Sequence, residues 1–135
     1  MTPKYLQDLK KGDTVYRIQM AGDPINVKEF NIVLKTITAE TVVKIEGSSS
    51  NFIYIKDIYG VIKSFGFSIK NTNLTHTDFY SEGKHFVYFA SKESLMDYIK
   101  ECLDIRIDKV SKKISRLSDE LDGLVKLLYH IEDEI

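Results

Sequence analysis

The sequence from His85 to Met96, HFVYFASKESLM, changes from a strand-forming composition to the start of a helix pattern. Its first half is rich in aromatic and β-branched residues, which are typical of a β-strand. Ser91 then precedes an acidic residue and an apolar pair, as expected of the N-cap of an α-helix. We therefore predict an α+β fold, with a β-domain at residues 1–90 and a C-terminal helix at residues 91–135.

Apolar residues downstream of this junction follow a heptad pattern that is typical of a coiled-coil helix. From residue 107 the spacing alternates between three and four without exception, whereas Ile99, Leu103 and Ile107 are separated by two successive steps of four, which indicates a stutter. We call the following positions the seam and predict that they mediate oligomerisation: Ile107, Val110, Ile114, Leu117, Leu121, Leu124, Leu128, Ile131 and Ile135.

The seam is too long for the β-domain to cover. A helix over residues 91–135 extends about 67 Å, whereas a domain of this size has a radius of gyration of about 12 Å. Either chains associate through the seam, or the helix folds back at Asp122 and Gly123. We favour a homo-oligomer because the spacing continues through Gly123 with no proline or polar turn cluster. Val125 and Leu127 widen the apolar stripe, which suits three or four helices better than two; helix orientation stays open.

Short segments rich in β-branched and aromatic residues alternate with turn signals upstream of the junction. Because turns rather than crossover helices join these segments, they predict a small antiparallel barrel or curled sheet of SH3-like or OB-like size. We expect a loop at Gly47–Asn51 and irregular structure at Asn71–Gly83. The predicted extended segments are Thr14–Met20, Val27–Thr38, Thr41–Ile45, Phe52–Ile55, Val61–Phe65, Phe67–Ile69 and His85–Phe89.

Composition limits the partners and the compartment. The formal net charge is −1, so no global field favours nucleic acid or an anionic membrane. The single cysteine, Cys102, excludes an intramolecular disulfide and fits a reducing compartment. Residues 1–11 are too polar for a signal peptide, and no apolar run is long enough for a membrane-spanning helix. These features predict a cytoplasmic protein without membrane association.

The sequence contains no recognisable catalytic motif. Neither a P-loop nor a G-x-G-x-x-G pattern occurs, and the serines at 48–50 do not form a nucleophile elbow. A polar segment that holds His76 and Asp78 is more often solvated than metal-bound. We therefore expect no enzyme activity, no cofactor and no metal site.

Aromatic and basic residues alternate between residues 54 and 65. On a small barrel they could form a protein-binding face, or stack on bases while lysines approach phosphates; they could also divide into core aromatics and solvated lysines, the most common arrangement. The candidate binding residues are Arg17, Tyr54, Lys56, Tyr59, Lys63 and Phe65.

Two segments resemble a pattern found in small proteins of bacteriophages and mobile elements. LKKGDTVY at 9–16 is similar to the first strand of their SH3-like barrels, and VYFASKES at 87–94 is similar to the strand-to-helix junction that closes them. The resemblance covers about twenty residues and does not include the seam. It implies an accessory protein without assigned chemistry, of a kind that includes binders that block host defence or host enzymes.

Two functions follow from these observations. The favoured hypothesis is a non-catalytic oligomeric binding protein that occupies the surface of a host protein or binds a ligand. The alternative is a nucleic-acid-binding module that uses Tyr54, Lys56, Tyr59 and Lys63.

Overall fold

The chain consists of two compact units, Met1–Tyr98 and Ile99–Ile135. A computed structural model describes residues 3–20, 27–47, 50–68 and 73–134. The boundary between the units lies inside the C-terminal helix, so the first turns of that helix belong to the first unit.

Six strands, two α-helices and a short 3-10 helix at Leu6–Asp8 make up the regular structure of the described residues. The strands are β1 (Thr14–Met20), β2 (Thr38–Gly47), β3 (Ser50–Lys56), β4 (Ile62–Ser68), β5 (His76–Ser81) and β6 (Lys84–Phe89). The helices are α1 (Val27–Lys35) and α2 (Lys92–Glu134).

The strands form one antiparallel sheet in the order β4-β3-β2-β1-β6-β5. Phe65 of β4 nevertheless stacks on Tyr88 of β6, with ring centroids 4.3 Å apart. Neighbouring strands lie about 4.8 Å apart, so a flat sheet would keep these two rings far from each other. The sheet therefore curls into a nearly closed barrel, followed by one long helix, and the predicted α+β fold is confirmed.

The inner face of the barrel is apolar along most of its length. The segment Phe52–Ile55 predicts Ile53 and Ile55 on one face of the strand and Phe52 on the other. In β3, Ile53 and Ile55 are buried while Phe52 is half-exposed, which confirms this alternation. A register shift between Val42 and Lys44 marks a bulge in β2, and bulges increase the local twist of a sheet. The core cluster comprises Leu6, Leu9, Val15, Val42, Ile53, Ile55, Phe65, Phe67, Tyr88 and Ala90.

The extended segment predicted at Val27–Thr38 is wrong, because α1 occupies Val27–Lys35. Its β-branched residues favoured a strand. The spacing of Phe30, Val33 and Leu34, however, places these apolar side chains on one helical face, and Val33 is buried. Burial of that face outweighs the weak local preference.

The prediction of irregular structure at Asn71–Gly83 is also wrong, because the segment contains β5. Residues 71 and 72 lie outside the described part. The sequence of β5 is polar because this strand lies at one end of the sheet. Asp78 and Tyr80 on its outer face are exposed. Its connection to β6 has positive φ angles at both Glu82 and Gly83, as in the two-residue turns that join antiparallel strands.

The strand β4 is continuous through Gly66, where the sequence predicted two separate segments; Ile69 lies outside the described residues. Gly66 pairs directly with Phe52, and a Cβ atom built on Gly66 would lie 2.9 Å from the Phe52 ring. The glycine therefore makes room for a cross-strand aromatic ring rather than ending the strand. The predicted loop at Gly47–Asn51 is wrong at both of its ends, because Gly47 pairs with Asn51; residues 48 and 49 lie outside the described part.

The helix α2 begins where the sequence predicts. The Ser94 N–H donates to the Ser91 hydroxyl oxygen at 3.1 Å, so Ser91 is the N-cap. The helix then continues for 43 residues without a break at Gly123, which excludes the alternative that it folds back there. Within the described residues, no helix combines the length and apolarity needed to cross a membrane.

Candidate functional site

The structure divides the six candidate binding residues among three locations. Directly opposed residues of an antiparallel pair share a face, so pairing with buried Tyr88 and Ile55 assigns Arg17 and Lys63 to the inner face. Arg17, Lys63 and Phe65 belong to the inner face, Tyr54 and Lys56 to the outer face, and Tyr59 to the turn between β3 and β4.

Arg17 is held inside the barrel by contacts with Glu40, Thr38 and Phe86. Its Nη1 lies 3.3 Å from Oε1 of Glu40, and its Nε donates to the Thr38 hydroxyl oxygen at 3.2 Å. Its guanidinium carbon lies 4.9 Å from the centroid of the Phe86 ring, a cation–π contact. The side chain is only 17% exposed. These contacts fix the orientation of the guanidinium group.

Glu40 is a buried carboxylate that accepts no hydrogen bond within the described part of the chain. Its side chain is 2% exposed, and neither carboxylate oxygen accepts a hydrogen bond from any described residue. The contact with Arg17 is therefore an ion pair without hydrogen-bond geometry. Burial raises the pKa of Glu40 above its ordinary value, although the charges of Arg17 and Lys63 oppose that shift. Loss of solvation thus outweighs the attraction of the nearby cations.

A cavity of about 420 Å³ collects three cations from three strands, and we call it the cation cavity. Arg17 comes from β1, Lys63 from β4 and Lys84 from β6. Glu82 is the acidic residue in its wall. The remaining wall consists of the side chains or backbone of Ile62, Ser64, Phe79, Ser81, Phe86 and Tyr88.

A second cavity, of about 390 Å³, also has Arg17 in its wall, together with Glu40, Ile58 and Tyr59. Ile58 and Tyr59 belong to a turn that Asp57 organises. The Asp57 Oδ1 accepts hydrogen bonds from the backbone N–H groups of Tyr59 and Val61, both at 2.9 Å. The Asp57 N–H donates to the Val61 carbonyl at 3.1 Å, and Gly60 adopts a φ of +82°.

This turn, residues 57–61, displays two large side chains to solvent, and we call it the display turn. Ile58 is 83% exposed and Tyr59 is 85% exposed. The hydrogen bonds of Asp57 and the left-handed conformation of Gly60 define the turn, so the display does not depend on contacts of the two exposed side chains themselves.

Tyr54 lies in a different, solvated cluster on the outer face. Its hydroxyl donates to Glu46 Oε2 at 3.2 Å, and Lys44 forms an ion pair with the same carboxylate. These contacts lower the pKa of Glu46 and raise the pKa of Lys44. The partners neutralise each other, so this cluster presents no excess positive charge.

The histidines of the barrel are engaged in structural contacts. His85 Nε2 lies 2.7 Å from Asp78 Oδ1, while His76 packs against the rings of Phe89 and Tyr98. No group of three His, Cys, Asp or Glu side chains in the described part of the chain is arranged to hold a metal ion.

The seam of α2 is exposed at every described position. Exposure ranges from 37% at Val110 to 63% at Leu117, and Ile135 lies outside the described residues. The flanking residues Val125 and Leu127 are exposed as well. The ion pair between Asp108 and Lys112, one turn apart, is the kind of contact that a solvent-facing side of a helix carries.

Sequence reasoning missed Glu40, Ile58 and Lys84. Glu40 and Lys84 lie next to predicted strands, whose predicted starts at Thr41 and His85 are three residues and one residue too late, respectively. With the true starts, period-two alternation places Glu40 on the same face as Val42, which is the signal that was available. Ile58 had no such signal, because the hydrogen bonds that organise its turn are not visible as periodicity.

In comparisons with known proteins, no protein family, no curated protein and no solved structure matches the chain.

Proposed function

We propose that the protein is a non-catalytic binding protein that associates through the seam and uses the display turn to contact a partner protein. The observation that carries the proposal is the pair of side chains at Ile58 and Tyr59, which a hydrogen-bonded turn holds almost fully in solvent. The resemblance to phage accessory proteins makes a bacterial host protein the first partner to test.

Self-association is supported by the length and period of the exposed seam. The helix α2 of 43 residues extends about 65 Å. Within the described part of the chain, the other α-helix, α1, has nine residues and spans about 14 Å. A second copy of α2 offers a surface of equal length with the same three-four spacing. Identical chains can therefore bury the apolar residues of each other's seam. Burial of each leucine or isoleucine stabilises the assembly by about 1.5–3 kcal/mol.

Binding by the display turn is supported by its preorganisation. A loop that is ordered before binding loses less conformational entropy when a partner arrives. Tyrosine is among the residues that most often dominate interface energies, because it contributes a large area with few rotatable bonds. An isoleucine beside it adds apolar area that fits a hydrophobic pocket of the partner. Several barrels on one oligomer strengthen weak individual contacts.

A matched pair of tyrosine variants tests this proposal. Tyr59→Ala removes the exposed ring of the display turn, whereas Tyr80→Ala removes a 72% exposed ring that stacks on His85 of the neighbouring strand. Tagged full-length proteins are used to capture partners from a bacterial lysate, and captured proteins are identified by mass spectrometry.

We expect a protein that is captured by wild type and by Tyr80→Ala, and captured at least tenfold less by Tyr59→Ala, as for an interface anchor. Thermal unfolding of each variant confirms that the barrel is intact. Equal capture by Tyr59→Ala and wild type would contradict the role of the display turn.

A further inference from the structure

The inner face of the barrel carries an excess of positive charge at one place. Arg17, Lys63 and Lys84 line the cation cavity, and Glu40 is the carboxylate packed against Arg17. Lys63 and Lys84 take part in none of the ion pairs that the described residues form. Lys63 and Lys84 are exposed, whereas the Arg17 side chain is only 17% exposed. With Glu82 in the same wall and Glu40 beside Arg17, the cations exceed the carboxylates by one.

The Arg17–Glu40 pair is poorly explained as a source of stability. Burying two charges is costly, and the cost is recovered only when geometry is good and the remaining lone pairs are satisfied. Neither Glu40 oxygen accepts a hydrogen bond from the residues that the structure describes, so this pair does not meet that condition. The pair does fix the guanidinium group in the cavity wall, together with Thr38 and Phe86.

The chemistry of the cavity wall matches a phosphate group. A guanidinium fork and ammonium groups bind phosphate oxygens through charge-assisted hydrogen bonds. Ser81 and Tyr88 in the same wall carry hydroxyl groups that donate hydrogen bonds to further oxygens. Phe79 and Phe86 provide an apolar part of the wall for the body of a ligand. A volume of about 420 Å³ is within the range of small-molecule sites.

We propose that the cation cavity binds a small phosphate monoester, with the phosphate between Arg17, Lys63 and Lys84, and that Glu40 is the positioning residue for Arg17. This inference goes beyond the proposed function, because no residue of the display turn lines the cation cavity. Arg17 is the residue that the cation cavity shares with the second cavity, whose wall includes Ile58 and Tyr59.

Isothermal titration calorimetry of the full chain with inorganic phosphate, adenosine 5′-monophosphate and adenosine tests the ligand class. We expect both phosphates to bind, and adenosine to bind at least tenfold more weakly than its monophosphate, because charge-assisted hydrogen bonds supply the affinity. Adenosine binding as tightly as the monophosphate would overturn the inference. Tighter binding of a single-stranded oligonucleotide than of the monophosphate, at equal phosphate concentration, would overturn it in favour of a nucleic-acid site.

Charge-neutral variants test the location of the site. Lys63→Gln and Lys84→Gln should each weaken binding of adenosine monophosphate about tenfold, whereas Lys56→Gln, on the outer face of β3, should leave it unchanged. Unchanged affinity in both cavity variants would overturn the inference. Capture of a partner by Lys63→Gln at the wild-type level shows that the display turn still works, so failure of the ligand site and failure of the proposed function are distinguishable.

Glu40→Gln tests the positioning role. If Glu40 orients Arg17, this variant binds adenosine monophosphate more weakly although its resistance to urea is equal to or greater than that of wild type. A purely structural carboxylate would show the reverse, with lower resistance to urea and unchanged affinity, and that result would overturn the positioning role.

Discussion

The barrel and the seam use similar side chains but differ in what covers them. Ile53 and Ile55 of the barrel are each 1% exposed, whereas Leu117 and Leu121 of the seam are 63% and 60% exposed. The barrel buries its apolar residues within one sheet, because every strand except those at the two ends pairs on both sides. The seam has an equally regular pattern without an intrachain surface of matching length in the described residues. Regular patterning therefore predicts burial, but it does not say whether the burial occurs within a chain or between chains.

The largest effect is expected from charges in the seam. Leu117→Asp together with Leu124→Asp should reduce the mass measured by light scattering to that of one chain, because a buried carboxylate loses its solvation. The control is Ser115→Asp with Tyr129→Asp, which adds the same two charges at positions outside the seam and should leave the mass unchanged. A wild-type mass equal to one chain would contradict self-association and would make the seam a docking site for another protein.

A large effect is also expected from the core of the barrel. Phe65 was a candidate binding residue, but it is 2% exposed and stacks on Tyr88. Phe65→Ala should lower the free energy of unfolding by about 3–5 kcal/mol, because it leaves a cavity where a ring was packed. Phe52→Ala, on the half-exposed outer face, should cost much less. Urea unfolding measures both, and equal losses would show that the two faces are not distinct in packing.

A smaller, pH-dependent effect should separate Glu40→Gln from wild type. Because burial raises the pKa of Glu40 in the folded state, the folded protein binds a proton more readily than the unfolded chain does. That difference makes the carboxylate unfavourable above the folded pKa, and the penalty disappears below the unfolded pKa of about 4.3. Glu40→Gln should therefore melt at a higher temperature than wild type at pH 8, and the gain should shrink as the pH falls toward 4. A lower melting temperature at pH 8 would show that attraction to Arg17 outweighs the loss of solvation.

The smallest effect is expected at Gly123 of α2. A Cβ atom built on this residue meets no atom within 4 Å apart from the local backbone of its own helix, and the position lies outside the seam. Gly123→Ala should stabilise the helix by about 1 kcal/mol, because alanine loses less backbone entropy on folding. The oligomer mass should stay the same. A change in mass would indicate that the assembly uses more of the helix surface than the seam.

Local patterns predicted the elements whose burial follows a simple period. The alternation in β3 and the N-cap at Ser91 both express local geometry, and both are confirmed. The same reasoning failed at α1 and β5 because the deciding factors are not local. α1 buries one helical face despite its β-branched residues, and β5 is polar because it lies at an end of the sheet.

The candidate site shows the same division between local and distant information. The sequence identified Arg17, Tyr59 and Lys63 by residue type. It grouped them with Tyr54 and Lys56, which the strand register assigns to the outer face. A one-residue step along a strand reverses the direction of a side chain. Membership of the cation cavity was therefore decided by strand boundaries and pairing.

The sequence by itself determined the α+β class, the strand-to-helix junction and the seam, because periods of two and of three and a half are properties of neighbouring residues. Only the tertiary structure decided that Arg17, Lys63 and Lys84 share a cavity beside a buried Glu40. These residues are brought together from β1, β4, β6 and β2 by the curl of the sheet. Curl depends on the twist and register of all six strands at once, and no short stretch of sequence specifies it.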